Sequence, residues 1–310
     1  MAGTDRPILV TGASGFVGRR VVARLRETGR RVRALVRPTS TRRMEVAEDL
    51  EVAECDIQSR ESVAAAARGC AGCIHLVGIL RQRGEATFQT VHVEGTEHVV
   101  AACREAGVRR LVHMSALGVE RGVDTPYFRT KEAAEARVRE SGLDWTVLRP
   151  SVIHGPRGDF TIQMARMVAR PGPVPLVGYG LQVLQPVWVQ DVASVAAGAL
   201  GREGTVGRAY DVGGPDVLTL RAFYRTVSRV LLGREKWLFP VPRFAVVGGA
   251  WLASRVLANP PVTPEELRML EAARPCDTAP VARDFDMQLA PFEDTLRGYA
   301  EALRTAAGID

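Results

Sequence analysis

Residues 8–25 read ILVTGASGFVGRRVVARL, and this stretch constrains the fold more than any other. Residues 8–10 are a short apolar run suited to a buried strand, and the residues from Phe16 onward are amphipathic at helical spacing. Between them Gly12, Gly15 and Gly18 form a GxxGxxG turn. With no side chains at these points the backbone turns tightly and comes close to a pyrophosphate, while the unpaired N–H groups that open the helix face the anion. Gly12, Ser14, Gly15, Phe16, Val17 and Gly18 are therefore the expected phosphate-binding residues. A lone glycine pattern says little, but one set between a strand and a helix predicts a dinucleotide-binding βαβ unit.

The same rhythm continues through the first half of the chain. Apolar runs at 8–10, 32–36, 50–55, 73–77, 110–115 and 145–149 alternate with amphipathic stretches at 16–28, 60–68, 87–105 and 126–140. Several of these stretches end at glycine (Gly29, Gly107, Gly142), a helix stop signal. The order predicts an α/β fold: a Rossmann-type doubly wound parallel sheet with crossover helices on both faces. After Pro150 the rhythm breaks into a Pro/Gly-rich stretch at 171–180, an apolar run at 183–189, a helix near 190–200 and a strand-like run at 209–214. Helical segments near 219–232, 243–257, 264–273 and 292–306 follow. The reading is a dinucleotide-binding domain over 1–150, completed by parts of 183–215, and a smaller, mostly helical substrate-binding region within 151–310.

Hydrophobic residues make up 46% and charged residues 25% of the chain, a globular balance. The opening MAGTDRPILV lacks the basic lead and apolar core of a secretory signal, so the expected location is cytoplasmic. The best membrane candidate, 237–258, is interrupted by Pro240, Pro242, Arg243 and Arg255 and falls short of the ~20 apolar residues of a span. Its 244–257 portion is expected to be buried in the substrate region or in a dimer contact, with peripheral contact at a membrane surface as the alternative. Five cysteines (Cys55, Cys70, Cys73, Cys103, Cys276) do not suggest a disulfide framework. Cys70 and Cys73 form a CxxC, but no second ligand pair stands at zinc spacing, so no metal site is expected and the two read as buried thiols.

The net charge of +6 is concentrated: residues 19–43 hold ten arginines (19, 20, 24, 26, 30, 31, 33, 37, 42, 43) against Glu27 alone, a local +9 that leaves −3 elsewhere. No aromatic-interleaved basic stripe or recognition helix accompanies it, which argues against nucleic acid. The neighbouring glycine turn points instead to a phosphorylated small molecule. About twenty residues after that turn, where an acid would bind the ribose 2′-hydroxyl of NAD, the second strand runs into Arg37. A guanidinium takes a 2′-phosphate bidentately and an acid would repel it, so the cofactor is read as NADP(H). Arg19, Arg42 and Arg43 are expected to add to this field, and most of the other arginines read as solvated charges. Asp56 is expected at the adenine edge, and Ile57, Val77 and Gly78 complete the expected cofactor-binding set of this half.

Tyr127 and Lys131 stand four apart in TPYFRTKEAAEARV, where Thr125 is placed to cap a helix and Pro126 to fill its first turn. They therefore share one face. Beside an ammonium a phenol ionises more readily than its ordinary pKa of ~10 allows, and it can act as acid or base at a carbonyl or alcohol. Lys131 is also placed to hold the nicotinamide ribose. With two lysines and five tyrosines in 310 residues, chance supplies such a pair about 0.03 times. Ser115, twelve residues before Tyr127, reads either as a hydrogen-bond partner of a substrate oxygen or as an ordinary strand-ending serine.

The segments TGASGFVG, CIHLVG, VHVEGT, HMSALG, YFRTK, LRPSVIHG and QPVWVQDVA occur in this order along nearly the whole chain. In this they resemble the extended and atypical branch of the short-chain dehydrogenase/reductase superfamily. Within that branch the likeness is greatest to bacterial relatives of the dehydrogenase-like accessory subunit of respiratory complex I. The resemblance implies NADPH binding, catalytic positions at Ser115, Tyr127 and Lys131, and Pro150 to Ile153 near the nicotinamide. His92 departs from it, standing where the superfamily often has an asparagine that serves a proton relay behind the lysine. Most of the remaining histidines read as satisfied core or rim residues. Three functions stay open: an NADPH-dependent oxidoreductase acting on a carbonyl, alcohol or quinone-related substrate; a non-catalytic NADPH-binding structural, sensor or assembly protein of a respiratory or quinone system; and a nucleotide-sugar epimerase, which Arg37 fits less well.

Overall fold

A computed structural model describes residues 6–41, 44–256 and 263–309. They form two compact units, one from the described residues of Met1–Pro150, Val189–Val212 and Ala279–Met287, the other from those of Ser151–Trp188, Gly213–Thr278 and Gln288–Asp310.

The first unit is built on a seven-stranded parallel sheet: β1 (Ile8–Thr11), β2 (Val32–Val36), β3 (Leu50–Glu54), β4 (Gly72–His75), β5 (Arg110–Met114), β6 (Asp144–Pro150) and the strand Arg208–Val212. In space the Arg208–Val212 strand comes first, followed by β6, β5, β4, β1, β2 and β3. The order reverses between β4 and β1, whose carboxyl ends form the switch point where such sheets bind ligands. Helix α1 (Phe16–Glu27) packs with the helix Val189–Gly201, while α2 (Arg60–Ala67) packs with α3 (Gly95–Glu105) and α3 with α4 (Pro126–Arg139). Because helices cover its faces, the sheet's strands read as unbroken apolar runs, and β1 is buried at every position. Leu9, Val63, Cys73, Val99, Leu111, Val138 and Val147 lie in one core cluster of this unit. The doubly wound parallel sheet expected from the sequence is present.

Between β2 and β3 no helix occurs among the described residues of 37–49. One local feature departs from the reading. The stretch read as one helix over 87–105 begins instead with a π-helical turn, Gln89–Glu94, which runs into α3. Such turns are rare and often mark functional positions; this one carries His92.

In the second unit, parallel pairs join Ile153–His154 to Val187–Trp188 and Val174–Val177 to Leu238–Val241, and an antiparallel pair joins Val183–Leu184 to Leu218–Thr219. Its core collects Val168, Leu176, Phe223, Leu231, Phe292, Leu296 and Leu303. The helix Leu220–Leu232 is capped by Thr219, whose hydroxyl accepts from Ala222 N–H, and stops at left-handed Gly233 (φ 68°). The helix Arg243–Val256 is not buried within the substrate region: Phe244 is 81%, Trp251 49% and Leu252 58% exposed, which leaves the dimer contact and the membrane surface among the expected settings. An apolar run between breakers reveals length and period but not which way the apolar side turns. No helix among the described residues is long and apolar enough to cross a membrane.

Candidate active site

At the end of β1 the chain turns at Gly12, which has φ +70°; a Cβ there would meet the Leu76 carbonyl carbon and the Val77 nitrogen at 3.3 Å. The glycine thus lets the loops after β1 and β4 touch at the switch point. Gly15 N–H donates to Gly12 O at 3.0 Å. A Cβ on Gly18 would lie 2.1 Å from Gly12 O and 2.8 Å from Ala13 Cα, so only glycine lets α1 approach this closely. Helix α1 starts after Gly15 with no side-chain cap and no acid in its first turn, which leaves the N–H groups of Phe16, Val17 and Gly18 to an anion. Ser14 holds the loop through its carbonyl, which accepts from Arg19 Nε at 3.3 Å. This cradle fits a pyrophosphate.

The basic segment is less free than its count suggests. Arg26 grips Asp49 with two bonds of 2.8 Å, Arg33 donates to Glu51 at 2.7 Å, Arg31 lies 3.6 Å from Glu51, and Arg24 pairs with Glu27 at 3.2 Å. Asp49 and Glu51 fall just outside the counted window, and the register of β2 on β3 sets Arg33 opposite Glu51. Arg37 follows β2 as an exposed residue, with no side-chain partner among the described residues. Arg42 and Arg43 lie outside the described residues. Past β3, Asp56 Oδ1 accepts from Gln58 N–H at 3.0 Å, and Ile57 is buried.

Helix α4 carries the expected pair. Thr125 Oγ1 accepts from Phe128 N–H at 3.2 Å, and Pro126 opens the helix. Tyr127, Lys131 and Glu135 follow on successive turns, all buried. Lys131 Nζ donates to the Met114 carbonyl at 2.6 Å. Burial draws its pKa down to about 8, against the raising effect of Glu135. A Cβ on Gly78 would lie 3.8 Å from Lys131 Nζ and 3.7 Å from His92 Nε2, so the loop after β4 passes directly beside the lysine. The Tyr127 ring meets Phe88, His92 and Phe128 edge-on at centroid distances of 5.9, 5.5 and 5.3 Å. Ser115 closes β5 with its N–H on Leu148 O at 2.7 Å. Its enclosed hydroxyl closes no hydrogen bond of ordinary geometry, although it helps to hold the Glu135 carboxyl down.

Apart from His92, the polar partners around this pair were not read from the sequence. His92 Nδ1 lies 3.0 Å from Thr130 Oγ1, whose own proton is directed to the carbonyl of Pro126 (2.9 Å) or Tyr127 (3.0 Å). Nε2 lies 3.0 Å from Ile79 N and 3.1 Å from Ile79 O, so both ring nitrogens are engaged in either tautomer. Behind it, Thr11 Oγ1 and His75 Nδ1 are 2.7 Å apart, His75 Nε2 meets Thr96 Oγ1 at 3.1 Å, and Thr96 donates to His92 O at 2.5 Å. Burial holds His75 and His92 down at about 3, and the charge of Lys131 adds to the effect. His113 is an exception among the core histidines, fully buried with neither ring nitrogen bonded. Glu135 receives Arg139 and Arg149, each with one bond of 3.1 Å and one of 2.6 Å, which ties α4 to the end of β6. Spacing offered a signal for two of these residues: Thr96 and Glu135 follow His92 and Lys131 by one helical turn.

Pro150 ends β6 in the first unit, and Ile153 opens the strand Ile153–His154 in the second. Cys70, Cys73 and Cys103 are buried free thiols, and burial pushes Cys70 up to about 11. Among the described residues no group of His, Cys, Asp or Glu is placed to hold a metal ion.

Residues 12–173 match the model of the family described as NAD(P)H-binding. The (4-alkanoyl-5-oxo-2,5-dihydrofuran-3-yl)methyl phosphate reductase of Streptomyces griseus is 32% identical over 95% of this chain and 98% of its own length. Subunit 9 of the NADH dehydrogenase [ubiquinone] 1 alpha subcomplex of Arabidopsis thaliana is 30% identical over 68% of this chain, a match that spans about half (54%) of that protein. Among solved structures, gox2253 superimposes with a TM-score of 0.77 at 28% identity, covering 98% of this chain and 99% of its own. The NAD complex of dTDP-glucose 4,6-dehydratase from Bacillus anthracis, with a TM-score of 0.74 at 18% identity over 97% of each chain, shares the fold. With its glycine cradle at the switch point of a seven-stranded parallel sheet, the chain belongs to the NAD(P)H-binding family within the atypical short-chain dehydrogenase/reductase superfamily, which includes complex I subunits, reductases and epimerases.

Proposed function

We propose that this protein is an NADPH-dependent oxidoreductase that reduces a carbonyl, or oxidises the corresponding alcohol, with Tyr127 exchanging the proton. The observation that carries this reading is the pair on α4: Tyr127 one turn before a buried Lys131 whose ammonium sits on the Met114 carbonyl. NADPH, when bound, supplies the hydride. The turn from Gly12 to Gly18 holds the pyrophosphate, Arg37 the 2′-phosphate, Asp56 and Ile57 the adenosine end, and Val77, Gly78, Pro150 and Ile153 the nicotinamide end. Lys131 holds the ribose and favours the phenolate of Tyr127, which lowers the cost of giving the phenolic proton to the substrate oxygen. Ser115 stays a candidate for orienting that oxygen only if its enclosed hydroxyl turns toward the substrate. His92 braces α4 through Thr130 in this scheme, since both its ring nitrogens are engaged. The reductase name of the full-length Streptomyces relative supports the reductive direction.

The same engaged His92 favours a second reading, in which the cofactor is held rather than turned over. The complex I subunits among the relatives fit a structural or assembly role of that kind. One experiment separates the two: NADPH oxidation with a panel of ketones, aldehydes and quinones, wild type against Tyr127→Phe. We expect turnover of one substrate class, reduced about 100-fold or more in the variant. Tight NADPH binding with no turnover of any class would overturn the enzyme reading.

A further inference from the structure

The helix Arg243–Val256 of the second unit wears its apolar side outward. Phe244, Gly248, Trp251 and Arg255 recur at intervals of four, three and four and so share one stripe, beside which lies Leu252. A helix packed on a core turns such a stripe inward; here its large side chains are the exposed ones. With the neighbouring helix Pro264–Ala272 it leaves a groove of about 450 Å³, whose lining includes Phe244, Val247, Leu267 and Arg268.

Charge and area together select the occupant. The sequence RFAVVGGAWLASRV contains no acid. Arg243 is neutralised by Glu271 through bonds of 2.6 and 2.8 Å. Arg255 lies 3.9 Å over the Trp251 ring, and neither it nor Arg268 has a carboxylate partner among the described residues. Glu266 is occupied in a capping box with Thr263. The facing helix carries Glu265, Glu266 and Glu271, of which Glu271 holds Arg243 and Glu266 the cap, so the cations at the stripe itself are Arg255 and Arg268, set against aromatic side chains as suits a surface with anions above an apolar layer. The exposed area of Phe244, Trp251 and Leu252 is roughly 400 Å², given 150–250 Å² for a large aromatic residue. That is about half of the ~800 Å² per partner that a stable protein interface buries, whereas a bilayer surface accepts a small shallow patch.

We propose that this stripe docks the protein on membranes rich in anionic lipid. Phe244, Trp251 and Leu252 enter the boundary between headgroups and acyl chains, and Arg255 and Arg268 meet the lipid phosphates. The proposal is independent of the cofactor chemistry.

Sedimentation of the full chain with phosphatidylcholine vesicles, with and without phosphatidylglycerol, tests it. Wild type should sediment with the anionic vesicles and be released by high salt. Phe244→Ser and Trp251→Ser should each weaken binding about 10-fold or more, and Arg255→Ala about 5-fold on anionic vesicles alone. NADPH binding and the melting temperature, measured on the same variants, should stay unchanged. Wild type left in the supernatant, or serine variants that sediment like wild type, overturns the proposal. So does a wild-type dimer that Trp251→Ser converts to monomer, which assigns the stripe to a second copy of the chain.

Discussion

Lys131→Met should leave the protein as stable as wild type at pH 7, or more so, and its effect should reverse in alkali. Burial lowers the Lys131 pKa from 10.5 to about 8, so the folded state disfavours the ammonium by about 3 kcal/mol at 1.36 kcal/mol per tenfold. Below pH 8 the lysine is protonated both folded and unfolded, and the whole penalty is present. Between 8 and 10.5 the folded chain sheds a proton that the unfolded chain keeps, so stability rises with pH; above 10.5 the penalty is gone. Methionine is of similar length and carries no such penalty, but it forfeits the bond to the Met114 carbonyl, worth ~1–3 kcal/mol. The variant should therefore stand between 0 and about 2 kcal/mol above wild type at pH 7. By pH 9.5 wild type recovers about 2 kcal/mol from this one group. The assay is urea unfolding of both proteins at the two pH values. The difference of differences cancels every other titrating group and should be about 2 kcal/mol. A flat difference would mean that Lys131 is not desolvated, and a loss above 3 kcal/mol at pH 7 would mean that it supports the fold as an ordinary core residue does. Either result refutes the reasoning.

Arg37→Ala should weaken NADPH binding by about 10- to 100-fold, the worth of a charge-assisted hydrogen bond, and leave NADH binding unchanged. Titration calorimetry with both nucleotides reads this directly, and wild type binding NADH as well as NADPH contradicts the assignment. Glu135→Gln concerns the acid limb of stability. Burial pushes this carboxyl up, but the bonds from Arg149 and Arg139 outweigh it and hold the pKa below the ordinary 4.5. The pair's contribution is thus full above about 4.5 and is lost as pH falls through the lowered value. The variant should cost about 2–3 kcal/mol at pH 7, below the ~3–5 kcal/mol of a fully broken buried pair because Arg149 keeps Glu120 at 3.2 Å. Its acid unfolding should be flatter than that of wild type, and a parallel shift of the whole curve would count against the ion pair.

What the sequence made legible is what neighbouring residues encode. The GxxGxxG turn, the alternating runs and the Thr125–Pro126 cap are each specified within a few residues, and the sheet and α4 are where they were expected. The local +9 of the basic segment overstates its free charge, because Arg26, Arg31 and Arg33 meet Asp49 and Glu51, which lie outside it in sequence. Met114 supplies only a backbone carbonyl to Lys131, and no side-chain pattern announces that. The π-helical turn likewise has no periodicity of its own, since its residues also suit an ordinary helix. The outward stripe at 243–256 shows the same limit on a larger scale: amphipathic period says that one side is apolar, and only packing decides whether that side faces a core.

The histidines around Lys131 bear on how the proposed chemistry would be charged. Burial first, and the lysine's own charge second, hold His75 and His92 at about 3 and His113 well below its ordinary value. All three are neutral at physiological pH, so the Lys131 ammonium is the positive charge they surround rather than one of four. The nearby carboxylate, Glu135, is committed to two guanidinium groups. The field that would favour a Tyr127 phenolate then comes from a single ammonium, in a site from which burial has removed competing charge. In a chain whose basic residues are otherwise arginine except for Lys236, the choice of lysine follows from the same burial. A compact ammonium can sit on one backbone carbonyl, whereas a guanidinium carries five donors that this enclosed position would leave largely unmet.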